Sequence, residues 1–438
     1  MTAARGTPSS GLWAATLGFF FGFASVSLFG PTAHQFAGPM HLGPAQIGLL
    51  VAVPSLSGSL LRIPFAAWVD TSGGRRPFLT LLAMSILGMA GLAAVVHLLY
   101  PAHLTSAYYP LLLLLGLLCG SGIATFSVGI GQVSYWFEQR SQGFALGTYA
   151  GVGNLAPGLF SFLLPVALSG YGLGTAYLAW LAFLVVGALL YFWLGQNAPY
   201  FQLRAAGADP DRARAGAREA GQELFPAGSA MDTLVHSARV WRTWILVLLY
   251  FTTFGGFLAL TAWLPTYWLE YLHSTAVVAG ALTAVYSLLA SAIRVAGGSL
   301  ADRLGGEPTA LLALGVTLLG ALIMTLSGSL PLSVFGVVLM ALGMGVNNAA
   351  VFKLVPRVVP HAVGGAAGWV GGLGAFGGFV IPPVMALFVG GGHGQGYATG
   401  FVVFVALAAL ALLAALLLRV SPLETRPAAA PKPGRTRA

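Results

Sequence analysis

The sequence predicts an all-α membrane protein: twelve transmembrane helices arranged as two six-helix halves that repeat one another in parallel. Three observations carry that prediction. The 438 residues are 57% hydrophobic and only 7% charged, against about a quarter charged in an ordinary soluble domain. Apolar stretches of about twenty residues, the length a helix needs to cross the hydrocarbon core, recur along the whole chain. A polar pattern in the second stretch returns in the eighth at a constant offset of 232 positions.

In chain order, the opening 1–10 is polar and too short for a secretory signal, so the first apolar stretch, 11–36, is expected to remain as a spanning helix. The second span, 45–69, is apolar except for Arg62. Spans three to six follow at 77–100, 108–137, 143–168 and 173–195. The one cysteine, Cys119, lies within the fourth, so neither a disulfide framework nor a cysteine metal site is available. Residues 196–242 form the only long polar stretch, with six arginines and five acidic residues. They read as a soluble linker with a short amphipathic helix about 209–224. The second half then spans 243–269, 276–301, 308–328, 331–355, 362–389 and 397–419. The expected organisation is an N-terminal bundle (1–195), a cytoplasmic linker (196–242), a C-terminal bundle (243–420) and a cytoplasmic tail (421–438).

The cations sort by side. Arg5, Arg75, Arg76, Arg140, the linker arginines, Arg303, Arg357 and the arginines of 419–437 fall on alternate connections, with Lys353 near the same side. The opposite connections hold His41, His103, Glu270, His273 and His393 but no Lys or Arg. This is the positive-inside asymmetry; it predicts a multi-pass protein of the cytoplasmic membrane with both termini and the linker inside the cell. The net charge of +9 then reflects topology and the anionic inner leaflet of the lipid bilayer, not nucleic-acid binding.

Arg62 and Arg294 escape this sorting. Arg62 lies eight residues before Asp70, or about 12 Å along the helix, within a hydrocarbon half-thickness of about 15 Å. The segments "VPSLSGSLLRIPFAAWVDTSGG" from Val53 and "VYSLLASAIRVAGGSLADRLGG" from Val285 match at Ser55/Ser287, Ser59/Ser291, Arg62/Arg294 and Asp70/Asp302. Steps of four, three and eight put these on one helix face. Two six-span halves with midplane polar residues on equivalent helices form the pattern of a secondary transporter, with the site where the halves meet. The helix-end turns carrying Asp70, Arg75, Asp302 and Arg303 read as gating hardware, charged contacts that hold one conformation.

Arginine cannot shed its charge, and its burial at a helix centre costs about 3 kcal/mol on insertion scales. All eleven acidic residues map to helix ends, loops, linker or tail. The missing counter-anion is therefore the natural candidate for the substrate. Two guanidinium groups about 8 Å apart at an effective dielectric of 20 repel by about 2 kcal/mol, while a monovalent anion midway attracts each by about 4 kcal/mol. Closure is then favoured when loaded, which suits exchange, and the guanidinium fork suits a planar oxyanion.

Two glycine-rich segments, "GTYAGVGNLAPG" from Gly147 and "GWVGGLGAFGGF" from Gly368, occupy the fifth span of each half. Together with the helix 2 and helix 8 arginines, "VFKLVP" at 351–356 and "YFTTFGGF" from Tyr250, they resemble the signatures of the nitrate/nitrite porters of the major facilitator superfamily. The resemblance covers nearly the whole chain and implies the major facilitator fold. It implies nitrate or nitrite held between Arg62 and Arg294, Asn154 bonding the anion, Tyr250 donating its hydroxyl, and Phe126 and Phe254 sandwiching its flat face. Gly151, Gly153, Gly372 and Gly374 would permit close helix approach and movement. The aromatic run 19–23 has no residue-by-residue match.

Each of these residues also admits a purely structural role. The arginines could bond backbone carbonyls, Asn154 could be an interhelical bonding residue, and the four serines could bond back to their own helices. Lys353 reads as a snorkelling helix-end lysine and His34 as a surface residue near an entrance. No membrane carboxylate offers a proton relay, which favours nitrate/nitrite exchange over proton-coupled uptake. An oxalate/formate-type organic anion exchanger or a passive anion channel could use the same two cations. No HExxH, GxSxG, phosphate loop or carboxylate pair suggests an enzyme. No cofactor or metal is called for, and a monomer is the expected state.

Overall fold

The computed structural model describes residues 5–226, 230–359, 363–389 and 396–420; the tail 421–438 and His393 lie outside them. Among the described residues every regular element is helical. Eleven helical runs are long and apolar enough to cross a membrane. One of them, Ala145–Leu194, has 50 residues, about 75 Å of helix and far more than one crossing needs. It turns back at Gly172, whose φ of 76° and ψ of 171° are not helical. The crossings among the described residues therefore number twelve, with the fifth and sixth joined by a tight glycine corner.

The first span is shorter than 11–36. It runs Pro8–Ser27, closes in a 3-10 turn at Ala24–Ser27, and a separate helix, Ala33–Met40, follows. Gly30 and Pro31 cause the break. A Cβ at Gly30 would lie 2.5 Å from the Ala262 carbonyl of span 7, and proline offers no N–H to continue the ladder. Thr32 covers the exposed end by donating to the Leu28 carbonyl at 2.9 Å.

Span 2 is also divided, into Pro44–Leu60 and Arg62–Ser72. Pro64 explains the position, because its ring opposes the carbonyl four residues back, that of Leu60. Span 8, Ala276–Leu304, is continuous and has Ala296 where the repeat would place Pro64.

Span 2 packs on span 11 and span 5 on span 8, and these are the main contacts joining the two bundles. Away from the linker the fit is backbone-close. A Cβ at Gly48 would meet the Ala386 methyl at 2.6 Å, and one at Gly280 would collide with the Ser161 carbonyl. On the linker side the halves part.

The linker folds as Pro199–Ala205, Pro210–Glu219 and Ala230–Ala238. The middle helix is shorter than 209–224. Asp209 caps it, accepting from the Asp211 and Arg212 N–H groups, and these backbone bonds, Arg212's foremost, hold its carboxyl below the usual range. Gly221 ends the segment at a left-handed φ of 84°. Tyr200, Phe201, Ala213 and Ala217 pack with Trp136 at the end of span 4 in a small second core.

Candidate functional site

The parted linker side encloses a cavity of about 960 Å³ between the halves, walled by spans 2, 4, 5, 8, 10 and 11 and by Leu224 and Leu234 of the linker. Arg62 and Arg294 both line it. The helix 2 and helix 8 repeat therefore brings its two cations to one chamber, on opposite halves.

Their surroundings differ. Arg62 is 1% exposed. Its Nη1 donates to the Gly371 carbonyl across the seam at 2.9 Å. Its guanidinium lies 4.9 Å from the Phe126 ring centre and 5.3 Å from that of Phe254. Nε and Nη2 are buried without a partner. Arg294 is half-buried; its Nη2 donates to the Tyr250 hydroxyl at 3.4 Å, and its guanidinium is 5.5 Å from the Phe254 ring centre. Among the described residues no carboxylate forms an ion pair with either arginine. Bonding to a backbone carbonyl thus accounts for one of Arg62's donor groups and leaves the others open.

Span 7 lies behind this wall, with a π turn at Phe251–Gly255 and no residue among those that line the cavity. Such wide turns recur at functional sites. Tyr250 directly precedes the turn and Phe254 lies within it, their rings stacked 4.8 Å apart at 12°. Tyr250 also meets the Phe352 ring edge-on at 5.0 Å. The Phe126 and Phe254 centres are 6.2 Å apart and tilted by 31°. A flat ion between two rings needs about 7 Å, so in this conformation the gap is closed against the ion and Arg62 rests on both rings.

Asn154 is 1% exposed, and neither Oδ1 nor Nδ2 has a partner; its carbonyl lies 3.2 Å from the Ser291 hydroxyl oxygen of the opposite half. The four signature glycines do not share one environment. A Cβ at Gly153 would collide with Phe19, and one at Gly374 would lie 2.6 Å from the Tyr250 ring. At Gly372 it would meet Ile63 of span 2 at 3.2 Å, whereas at Gly151, on the cavity wall, it would meet nothing. Ser59 and Ser291 each donate to the carbonyl four residues back, Ser55 and Ser287.

The helix-end charges make their contacts within their own half or with the start of the linker. Asp70 accepts from the Tyr135 hydroxyl at 2.7 Å. Arg75 donates through Nη2 to the Phe192 carbonyl at 2.6 Å and through its backbone N–H to Asn197. Asp302 pairs with Lys353 of span 10, so Lys353 is an ion-pair partner and not only a snorkelling end. Arg303 is exposed. Sequence reasoning missed Asn348, Phe352 and the two linker leucines on the cavity wall. The paired asparagines of "GVNNAAVF" in an apolar span were the available signal.

The comparisons with known proteins agree with one another. A sequence model of the Major Facilitator Superfamily matches residues 15–382 and 269–437. The probable nitrate/nitrite antiporter NarK1 of Thermus thermophilus is 32% identical over 432 residues, covering 92% of this chain and 89% of that protein. The probable nitrate/nitrite transporter NarK2 of Mycobacterium tuberculosis is 32% identical over 369 residues, 83% of this chain and 85% of its own. The partially occluded, inward-open structure of the xylose transporter XylE from E. coli superposes with a TM-score of 0.70 at 15% identity, over 95% of this chain and all of that one, and shares the fold. Two six-helix bundles about a central chamber, a superfamily match along most of the chain and relatives at this identity lead to one conclusion: the chain belongs to the major facilitator superfamily, in its nitrate/nitrite porter family.

Proposed function

We propose that the protein exchanges nitrate and nitrite across the cytoplasmic membrane by alternating access, as a carrier and not an enzyme, with its linker and termini in the cytoplasm. The observation that carries this reading is the pair of guanidinium groups on opposite halves of one chamber, with no carboxylate paired to either among the described residues. Arg62 and Arg294 bind the anion from two sides, Asn154 and Tyr250 bond its oxygens, and Phe126 and Phe254 part to take its flat face. Gly372 and Gly374 let span 11 ride close on its neighbours, Gly153 does so for span 5 against Phe19, and Gly151 leaves room on the cavity wall. The helix-end groups Asp70, Arg75, Asp302 and Arg303 change partners between conformations. The glycine-close packing on the far side and the open chamber on the linker side correspond to an inward-facing state.

The charge arithmetic favours exchange over one-way movement. An empty site must bring two cations together to close; a loaded one does not. The test is uptake of labelled nitrate by the purified protein in vesicles, with nitrate, nitrite or buffer inside and the pH gradient set or collapsed. Exchange predicts uptake only against internal anion and indifference to the gradient. Uptake into empty vesicles driven by pH would instead mean proton-coupled entry, a current without counter-anion would mean a channel, and competition by oxalate would mean an organic anion exchanger.

A further inference from the structure

Span 10 carries adjacent asparagines, Asn347 and Asn348, at 0% and 1% exposure. Buried amides are costly unless bonded, and the bonds here run in series. Asn347 Nδ2 donates to Thr253 Oγ1 at 2.9 Å. Thr253 Oγ1 in turn donates to Asn348 Oδ1 at 2.8 Å. The hydroxyl has a single proton; the Leu249 carbonyl, at 3.0 Å, is the more distant acceptor. With Oδ1 held from span 7, the Asn348 amide turns its NH2 group away from that helix, and Asn348 lines the chamber shared by Arg62 and Arg294.

The position is close to the anion-binding wall. One turn along span 10, about 6 Å by helical rise, Phe352 meets the Tyr250 ring, and Tyr250 is the partner of Arg294. Thr253 sits within the same π turn that sets Tyr250 and Phe254.

We propose that Asn348 is a further donor to the anion and sets the preference for nitrate over nitrite, a reading that rests on the anion site proposed above. A trigonal ion offers three edges. Two guanidinium groups on opposite sides take two of them; beside Asn154 and Tyr250, which do not line the chamber, the Asn348 NH2 on the chamber wall addresses the third. Nitrite has no third oxygen and leaves the Asn348 NH2 unpaired. A site built to bond a group rejects the analogue that lacks it, because its own buried polar atom is then stranded. Thr253 and Asn347 are positioning residues; they hold the amide and do not touch the anion.

The experiment measures nitrate and nitrite binding separately on the full-length purified protein, with Arg294→Lys as reference. Asn348→Ala is expected to weaken nitrate about 10- to 100-fold and nitrite much less, so that the ratio of the two affinities collapses. Thr253→Val, which keeps the shape and removes the hydroxyl, is expected to narrow the same ratio by a smaller factor; it serves also where Asn348→Ala does not fold. An unchanged ratio in both variants, with nitrate binding lost in Arg294→Lys, overturns the role of Asn348 and leaves the anion site standing. Nitrate binding that survives Arg294→Lys at wild-type strength overturns the site and this inference with it.

Discussion

Arg62 and Arg294 occupy the same register of a duplicated helix, yet the fold treats them differently. Arg62 is enclosed, bonded across the seam to Gly371 and resting on two rings. Arg294 is half-buried on the chamber wall, with a long bond to Tyr250. Two sequence differences underlie this. Pro64 breaks helix 2 next to Arg62, whereas Ala296 lets helix 8 run on. Tyr250 and Phe254 pair on span 7, and Phe19 and Phe23 on span 1, with centres 4.8 and 4.7 Å apart, the first pair stacked at 12° and the second tilted at 43°, but only the C-terminal pair has a hydroxyl to offer. In the glycine-rich repeat Ala150 stands where Gly371 stands, yet Arg294 turns to Tyr250 and not to the Ala150 carbonyl. A duplicated motif thus supplies two charges, and its neighbours decide which is packed into the seam and which waits in the chamber.

The largest effect is expected at the enclosed arginine. Arg62→Met should abolish exchange, by more than about 100-fold, while the anion-free protein melts at or above the wild-type temperature. Replacing a buried charge that lacks an ionic partner by an apolar chain of similar size is neutral or stabilising. Thermal unfolding with and without nitrate checks both halves of the statement, and a drop of several degrees without anion would make Arg62 a structural residue instead. Arg294→Lys comes next. It keeps the charge and loses the fork, so exchange should fall about 10- to 100-fold with little change in melting.

Tyr250→Phe gives the C-terminal half the ring chemistry of Phe19. Loss of one hydrogen bond to a charged group should weaken nitrate about tenfold; titration of the variant would read this, and a wild-type affinity would mean that the hydroxyl only packs. The smallest effect belongs to the proposed gate. The Asp302–Lys353 pair has side chains 74% and 39% exposed, so Lys353→Ala should cost less than about 1 kcal/mol of stability. Tyr135→Phe, which strips the half-buried Asp70 of its partner, should cost at least as much. Parallel melting curves would reverse the order if the exposed pair were the stronger latch.

Much of the fold was legible because hydropathy and span length are local properties. The linker was expected from its charge, which is local in the same sense. The breaks were less legible. The end of span 1 depends on Gly30 meeting the Ala262 carbonyl, which is 232 positions away in the chain, and no window of sequence contains both. Arg62 and Arg294 could be placed opposite one another because the repeat spacing and the missing acids are sequence facts. The Phe126–Phe254 gap, the unpartnered amide of Asn154 and the serial bonds of Asn348 could not, since each depends on how side chains from different helices meet.

By itself the sequence determined twelve crossings, their orientation signal and two unneutralised cations at one depth, because a bilayer imposes length, polarity and charge rules on each segment separately. Only the tertiary structure decided which arginine is enclosed, which glycines are obligatory and which face is open. Those outcomes depend on distances between residues far apart in the chain, set when two bundles pack around a shared chamber.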